Sequence, residues 1–180
     1  YDQYLTLHYD GRNPQLQAVD LGTLGRLRVE WSEGHIARVV LVDEAESEQV
    51  VAVYRYDAHS CLIEARNPYK HSHKYAFDDA HRLVRKTNPD GYSFHYVYDA
   101  EGRCVESRGD DGAEEVKLEY RPVERTTIVT RHDGGKWTYQ YTDFGAIAHV
   151  LDPYGGAQAY TFDDDGRVTG GIVVDERTTK

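Results

Sequence analysis

Beyond Val50 the chain is a succession of short runs of alternating apolar and polar residues, each cut by a turn signal before a helical period can establish itself. The clearest runs are aromatic pairs at alternate positions: YRYD (54–57), YAFD (75–78), YVYD (96–99), YQYT (139–142) and YTFD (160–163). Strand side chains have period two, so both rings of each pair lie on one face of a strand. The second aromatics, Tyr56, Phe77, Tyr98, Tyr141 and Phe162, are separated by 21, 21, 43 and 21 residues. The long step is two units with one extra residue, and LEY (118–120) supplies the missing member at Tyr120. Six units thus cover residues 54–170, a fixed period that marks a repeat architecture.

Each unit carries two turn signals. Arg82, Arg103, Arg125 and Arg167 sit five places beyond their anchor aromatics, and Gly102, Gly145 and Gly166 sit four places beyond theirs. Eleven places beyond the anchors come NPYK, NPDG, GDDG, RHDG and DPYG. In YVYDAEGR, Asp99 can bond its side chain to nearby backbone NH groups, Gly102 supplies a positive φ, and Arg103 is expected to open the returning strand. In NPDG, Pro89 presets φ and Gly91 takes the left-handed conformation. A 21-residue unit with two such turns holds two strands of roughly five residues and is too short for a strand–helix–strand crossover. The expected fold is all-β: a curved, open antiparallel meander of repeated hairpins with about a dozen strands over 54–170.

The first 53 residues form a less regular hairpin region of degenerate repeats. LHYDGR (7–12) looks like a shortened copy of the aromatic–Asp–Gly–Arg turn. The run 26–42 reads as a hairpin bent at SEG, with Trp31 in the place of the anchor aromatic and EAESE (44–48) forming a longer loop before Tyr56. Residues 171–180 form a last strand and tail, in which GIVVDE (171–176) is strongly β-prone.

Composition narrows the function. There are 31 acidic and 21 basic residues, a formal charge of −10, and no stripe of Lys and Arg, which disfavours nucleic acid and anionic membranes as partners. No run of 18 apolar residues spans a bilayer. Two cysteines are too few for a disulfide framework. Cys61 and Cys104 also fall at different places in the unit, with Cys104 in the apolar slot that Leu62, Leu83, Ile147 and Val168 occupy elsewhere.

The aromatic–Asp–x–x–Gly–Arg pattern, clearest in YVYDAEGRC (96–104) and YTFDDDGRV (160–168), resembles the YD-repeat, or Rhs-repeat, family. YAFDDAHRL keeps Tyr75, Phe77, Asp78 and Arg82 but has His81 at the glycine position. YRYDAHSCL keeps Tyr56 and Asp57 and loses the glycine and arginine. YQYTDFGAI keeps Tyr141 and Gly145, and LEYRPVERT keeps only Tyr120 and Arg125. In that family the repeats build spiralling β-sheet shells that enclose a C-terminal toxin domain of bacterial secreted proteins. The resemblance implies that Tyr56, Asp57, Phe77, Asp78, Arg82, Tyr98, Asp99, Gly102, Arg103, Tyr120, Arg125, Tyr141, Gly145, Phe162, Asp163, Gly166 and Arg167 are structural repeat residues. It implies a parent protein made in the bacterial cytoplasm and secreted or held at the cell surface, with further repeats or a toxin domain of the same chain as partners. Edge-to-edge self-association is a further expectation, from the open ends of such a meander. The self-cleaving aspartyl site of the family's core has no counterpart, because DPYGG (152–156) falls on the second turn of a repeat.

No catalytic, cofactor-binding or metal-ligating residue is assigned from the sequence. His71 and His73 stand at strand spacing without a third ligand, and Asp163, Asp164 and Asp165 crowd a turn without the offsets of a calcium loop. There is no Gly-x-Ser-x-Gly, His-Glu-x-x-His or phosphate-binding glycine loop. The reading is a non-catalytic shell scaffold. A wall- or glycan-binding aromatic repeat module is the alternative, although neither Trp31 nor Trp137 forms the Gly-Trp pair on which such repeats lean. A hydrolase with an unrecognised site is a remote third reading.

Overall fold

The computed structural model describes residues 5–11 and 13–174. Arg12 of the LHYDGR turn and the segment 175–180, including Asp175 and Glu176 of GIVVDE, lie outside the described residues. The chain divides into two compact units, Tyr1–Ser93 and Phe94–Lys180. The first contains β1 (Thr6–Asp10), β2 (Asn13–Asp20), β3 (Arg26–Ser32), β4 (His35–Val42), β5 (Glu48–Tyr56), β6 (Leu62–Arg66), β7 (Ser72–Phe77) and β8 (Leu83–Thr87). The second is built from β9 (Ser93–Tyr98), β10 (Cys104–Gly109), β11 (Val116–Arg121), β12 (Thr126–Arg131), β13 (Lys136–Tyr141), β14 (Ile147–Leu151), β15 (Ala157–Phe162) and β16 (Val168–Val174). In each unit strand order follows chain order and neighbouring strands pair antiparallel, giving an open sheet of repeated hairpins that does not close into a barrel. Among the described residues the only helical segments are two single 3₁₀ turns, Gly22–Leu24 and Asp110–Gly112.

The registers explain how an odd repeat length keeps its rings on one face. Tyr56 pairs with Leu62, but the next pairs are Arg55 with Glu64 and Tyr54 with Ala65, so one residue of β6 is left over as a bulge. The same slip follows Phe77–Leu83, Tyr98–Cys104, Tyr141–Ile147 and Phe162–Val168. Directly paired residues share a face, so the aromatic face of β5 continues from Tyr54 to Ala65 and then to His73, which shares its face with Tyr75 and Phe77. Without the bulge, Tyr54 would pair with Glu64, which pairs with Lys74, and the next aromatic pair would point the other way. The β11–β12 hairpin solves the same parity problem differently. Arg121 pairs with Thr126 across a four-residue loop, no bulge follows, and Tyr120–Thr127–Tyr139 remain in line. The extra residue of the 22-residue step from Tyr98 to Tyr120 falls around the longer β10–β11 connection, where Ser107 pairs with Val116.

Two expectations for the first 53 residues resolve differently. Trp31 does occupy an anchor position: it pairs with Ile36, the register slips before Glu30–Arg38, and a two-residue tip at Glu33 and Gly34 (φ 52° and 81°) closes the bend. EAESE, by contrast, is not a longer loop. Asp43 caps a turn over 43–47 in which Ala45 and Ser47 donate their NH groups to Asp43 Oδ1, both at 2.9 Å. The additional length between Trp31 and Tyr56 sits in β4 and β5, of eight and nine residues.

One-sheet layers leave little interior. Among the described residues the buried apolar ones are Ala18, Val29 and Val40, all in β2–β4, and Thr127 is buried in the Tyr120–Thr127–Tyr139 row. In β11, Val116, Leu118 and Tyr120 are half-buried whereas Lys117, Glu119 and Arg121 are exposed, so the alternation read from the sequence is the alternation of the sheet's two faces. Stability therefore depends on hairpin geometry. Gly102 holds φ 83° at the tip of the β9–β10 turn, whereas Ala100 in the same turn does not adopt positive φ. Gly102→Val should lower stability by roughly 1–3 kcal/mol, the scale of a β-branched residue forced into the left-handed region, and Ala100→Val by clearly less; equal urea midpoints for the two variants would contradict the turn geometry.

Candidate functional site

The repeat residues meet in one recurrent structure, a five-residue turn held by a side chain. At Asp99 the backbone NH donates to the carbonyl of Arg103 (3.0 Å) and the carbonyl accepts from the NH of Gly102 (3.1 Å). The NH of Arg103 donates to Asp99 Oδ1 at 2.8 Å. Arg103 Nε and Nη2 both reach Asp99 Oδ2, each at 2.7 Å. Arg103 is therefore the last turn residue, and the returning strand opens at Cys104 rather than at Arg103. The turn at Asp78 repeats this arrangement. Ala80 donates its NH to Asp78 Oδ1 at 3.0 Å, and Arg82 donates its NH to the same oxygen at 2.9 Å and its Nε to Oδ2 at 2.9 Å.

Where the motif decays, the backbone pattern persists. Asp57 accepts from the NH groups of His59 (2.8 Å) and Cys61 (3.0 Å), with Ser60 in the left-handed position at φ 66°. Asp163 accepts from Asp165 and Arg167, while the Arg167 guanidinium turns to Asp165 at 2.6 Å. Thr142 substitutes for the aspartate, its Oγ1 accepting from the NH of Ala146 at 3.0 Å, with Gly145 at φ 86°. Arg125 is placed differently from Arg82 and Arg103: it holds the left-handed position itself, at φ 51°, and its carbonyl accepts from the NH of Tyr141 at 2.8 Å. Two of the second turns use the same device. Asn67 Oδ1 accepts from Tyr69 and His71, and Asp152 Oδ1 accepts from Tyr154 and Gly156. Asp152 of DPYGG is thus a turn cap.

The turns also touch the following repeat. The Arg103 guanidinium lies 4.9 Å from the centre of the Tyr120 ring, and the Tyr120 hydroxyl donates to the carbonyl of Cys104 at 2.8 Å. His35 packs on Tyr56 (4.5 Å between ring centres) and Phe144 meets Phe162 edge-on (5.4 Å). These contacts, and the caps at Asp43, Asn67 and Asp152, were not singled out in the sequence. The caps could be found by asking for an Asx residue three places before each left-handed position.

Among the described residues no three His, Cys, Asp or Glu side chains already converge on a point that could hold a metal ion, and His71 and His73 are divided between a turn and β7. Both cysteines are free. Cys104 is half-buried and its thiol donates to the carbonyl of Glu106 at 3.3 Å. No described helix is long and apolar enough to cross a membrane.

Residues 77–114, the segment with the two best-formed Asp–Arg turns, match the RHS Repeat family. None of the curated proteins compared matches the chain. Among solved structures, the chain is similar to TcdB2–TccC3 lacking its hypervariable C-terminal region, with a TM-score of 0.66 and 14% identity over 94% of this chain and 10% of that one. It is similar to TcdB2–TccC3–Cdc42 with a TM-score of 0.67 and 15% identity over 94% and 10% of the two chains. The Photorhabdus luminescens Tc holotoxin pore gives a TM-score of 0.61 and 13% identity over 97% and 12%. The chain thus spans about a tenth of the length of these structures, and at such identities the likeness is one of fold.

Asp57, Asp78 and Asp99 titrate below the ordinary aspartate range. For Asp78 the cause is the backbone NH of Arg82 and then its guanidinium; for Asp57 it is the backbone NH of Cys61. At Asp99 burial is the largest influence and pushes upward, but the bonds from the Arg103 backbone and guanidinium together outweigh it. A carboxylate depressed in the folded state contributes stability that is fully present above its unfolded pKa, about 3.9, and is lost as pH falls through the folded value. The urea midpoint should therefore hold from pH 7 to about 5 and fall below about 4. Asp78→Asn with Asp99→Asn keeps an oxygen for the turn NH groups but removes the ion pairs, so its midpoint should be lower at pH 7 and converge on that of the unaltered chain near pH 3. Parallel curves across this range would contradict the assignment.

Proposed function

We propose that the chain is a run of RHS, or YD, repeats, and that it is a non-catalytic structural segment of a shell that encloses a C-terminal toxin domain of a secreted or cell-surface bacterial protein. The observation that carries this reading is where the repeated residues are spent. Asp78, Arg82, Asp99 and Arg103 satisfy turn NH groups and one another, and the anchor rings of Tyr56, Tyr120 and Phe162 pack against residues in or beside the turn of the preceding repeat, so the repeating chemistry is consumed within the sheet. The fold likeness to a Tc holotoxin pore supports the same reading. In it, residues 54–170 supply six repeats, residues 1–53 a degenerate hairpin region and 171–180 a last strand and tail, with further repeats of the same parent chain or a toxin domain as neighbours.

A glycan-binding module is the second reading because Tyr69 and Tyr154, at equivalent positions of two turns, are 78% and 71% exposed. Rings held this far from the sheet are free to stack on sugars. The shell reading predicts no saturable binding on a glycan array. Saturable binding that Tyr69→Ala and Tyr154→Ala abolish would replace it with the binding module.

The shell reading also requires edges that accept a neighbouring strand. Among the described strands β16 pairs only with β15, and its Ile172 and Val173 are 65% and 74% exposed. Backbone groups on such an edge pair readily with another chain. The isolated chain should form weak edge-to-edge dimers at hundreds of micromolar in sedimentation experiments, and Ile172→Lys with Val174→Pro should abolish them. A strictly monomeric chain at that concentration would show that the edge is not available to a neighbouring strand.

A further inference from the structure

Two repeats depart from the aromatic–Asp–x–x–Gly–Arg pattern at positions that touch each other. Cys61 stands in the arginine place of its turn, and His81 stands in the glycine place of the next. His81 adopts φ 59°, a conformation uncommon for a side-chain-bearing residue, and from there its Nδ1 lies 3.3 Å from Cys61 Sγ. His59, from the same turn as Cys61, places its ring centre 5.4 Å from that of His81. The other anchor turns contain no cysteine, so this juxtaposition of sulfur and imidazole belongs to this pair of repeats.

We propose that Cys61, His81 and His59 form a binding site for a zinc-class divalent cation that bridges two successive repeats. The spacings fit a tetrahedral ion. Metal–sulfur and metal–nitrogen bonds of about 2.3 and about 2.0 Å at a tetrahedral angle set the two donors roughly 3.5 Å apart. Two imidazoles on one such ion hold their ring centres roughly 5.2 Å apart. Cys61 and His81 are already at donor spacing, and His59, exposed on its turn tip, completes the set by a side-chain rotation. Water takes the fourth position. The Asp57 carboxylate adds negative charge beside both histidines. A cysteine thiol carries its proton at neutral pH unless its surroundings stabilise the thiolate. Binding therefore breaks the S–H bond and releases one proton to solvent as the metal–thiolate bond forms. The function of such an ion is to clip adjacent turns, in the place where the Asp–Arg pair is missing.

Cobalt(II) titration of the whole chain tests this, because cobalt in a tetrahedral sulfur-containing site gives intense visible bands and a near-ultraviolet sulfur charge-transfer band. We expect one ion per chain, displaced by zinc(II), with a rise in thermal midpoint on binding. Cys61→Arg and His81→Gly install the residues found in the clearest repeats, so they keep the turn while abolishing the sulfur band. His59→Ala should weaken binding by about tenfold or more, the scale at which zinc sites respond to loss of a supporting group, and Cys104→Ser should leave it unchanged. Cobalt binding without a sulfur band, or a sulfur band that survives Cys61→Arg or disappears in Cys104→Ser, would overturn the proposal.

Discussion

The interaction on which the structure depends is the hydrogen bonding of one side-chain oxygen to two backbone NH groups at the tip of a hairpin. A five-residue turn points NH groups inward that no neighbouring strand can satisfy, and buried unpaired NH groups are costly. Asp57, Asp78, Asp99, Asp163, Asp43, Asn67 and Asp152 each supply that oxygen, and Thr142 supplies it once. The positive-φ residue three places later lets the chain come back under it. At Asp57 and Asn67, and again at Thr142 and Asp152, side-chain caps close both turns of one unit.

A sheet with so few fully buried side chains must draw its stability from near neighbours. Its favourable contacts run across paired strands and between a turn and the next anchor ring, as with Arg103 and Tyr120 or Phe144 and Phe162. Cross-strand ring and β-branched pairs contribute roughly 0.2–1 kcal/mol each, so no single repeat is self-sufficient. Stability in such an array is a sum of unit and interface terms. The charge of −10 does not interrupt it, since the carboxylates nearest the backbone are those already bonded to turn NH groups or to arginine.

Strand number, turn sites and the common face of the aromatics were legible in the sequence because each is written by a residue type with a local effect: Tyr-x-Tyr for the face, Asp and Gly for the tip. Register was not. A bulge leaves no residue signature when the extra position holds Ile63, Val84 or Val105, any of which would serve as an ordinary strand residue. The turn at Asp43 was hidden because EAESE reads as a solvated charge run, although the capping aspartate stands one place before it. The Cys61–His81 contact was out of reach for a different reason. The two lie 20 residues apart, and only pairing of β6 with β7 and β7 with β8 brings their turns together.

The bulge beside Tyr56, Phe77, Tyr98, Tyr141 and Phe162, and the four-residue loop beside Tyr120, give the sheet something like a reading frame. Copies of 21 residues can be added or removed whole, and every aromatic row stays on its face. A gain or loss of one residue within a strand would instead turn all that follows inside out, placing Lys and Glu where the rings now stack. Over 54–170 the chain holds one length change, the 22-residue step from Tyr98 to Tyr120, and there the altered length is absorbed by a connection while the rows on either side remain in phase. An array built this way can lengthen by duplication almost without limit, yet within its strands it is nearly closed to insertion by ones.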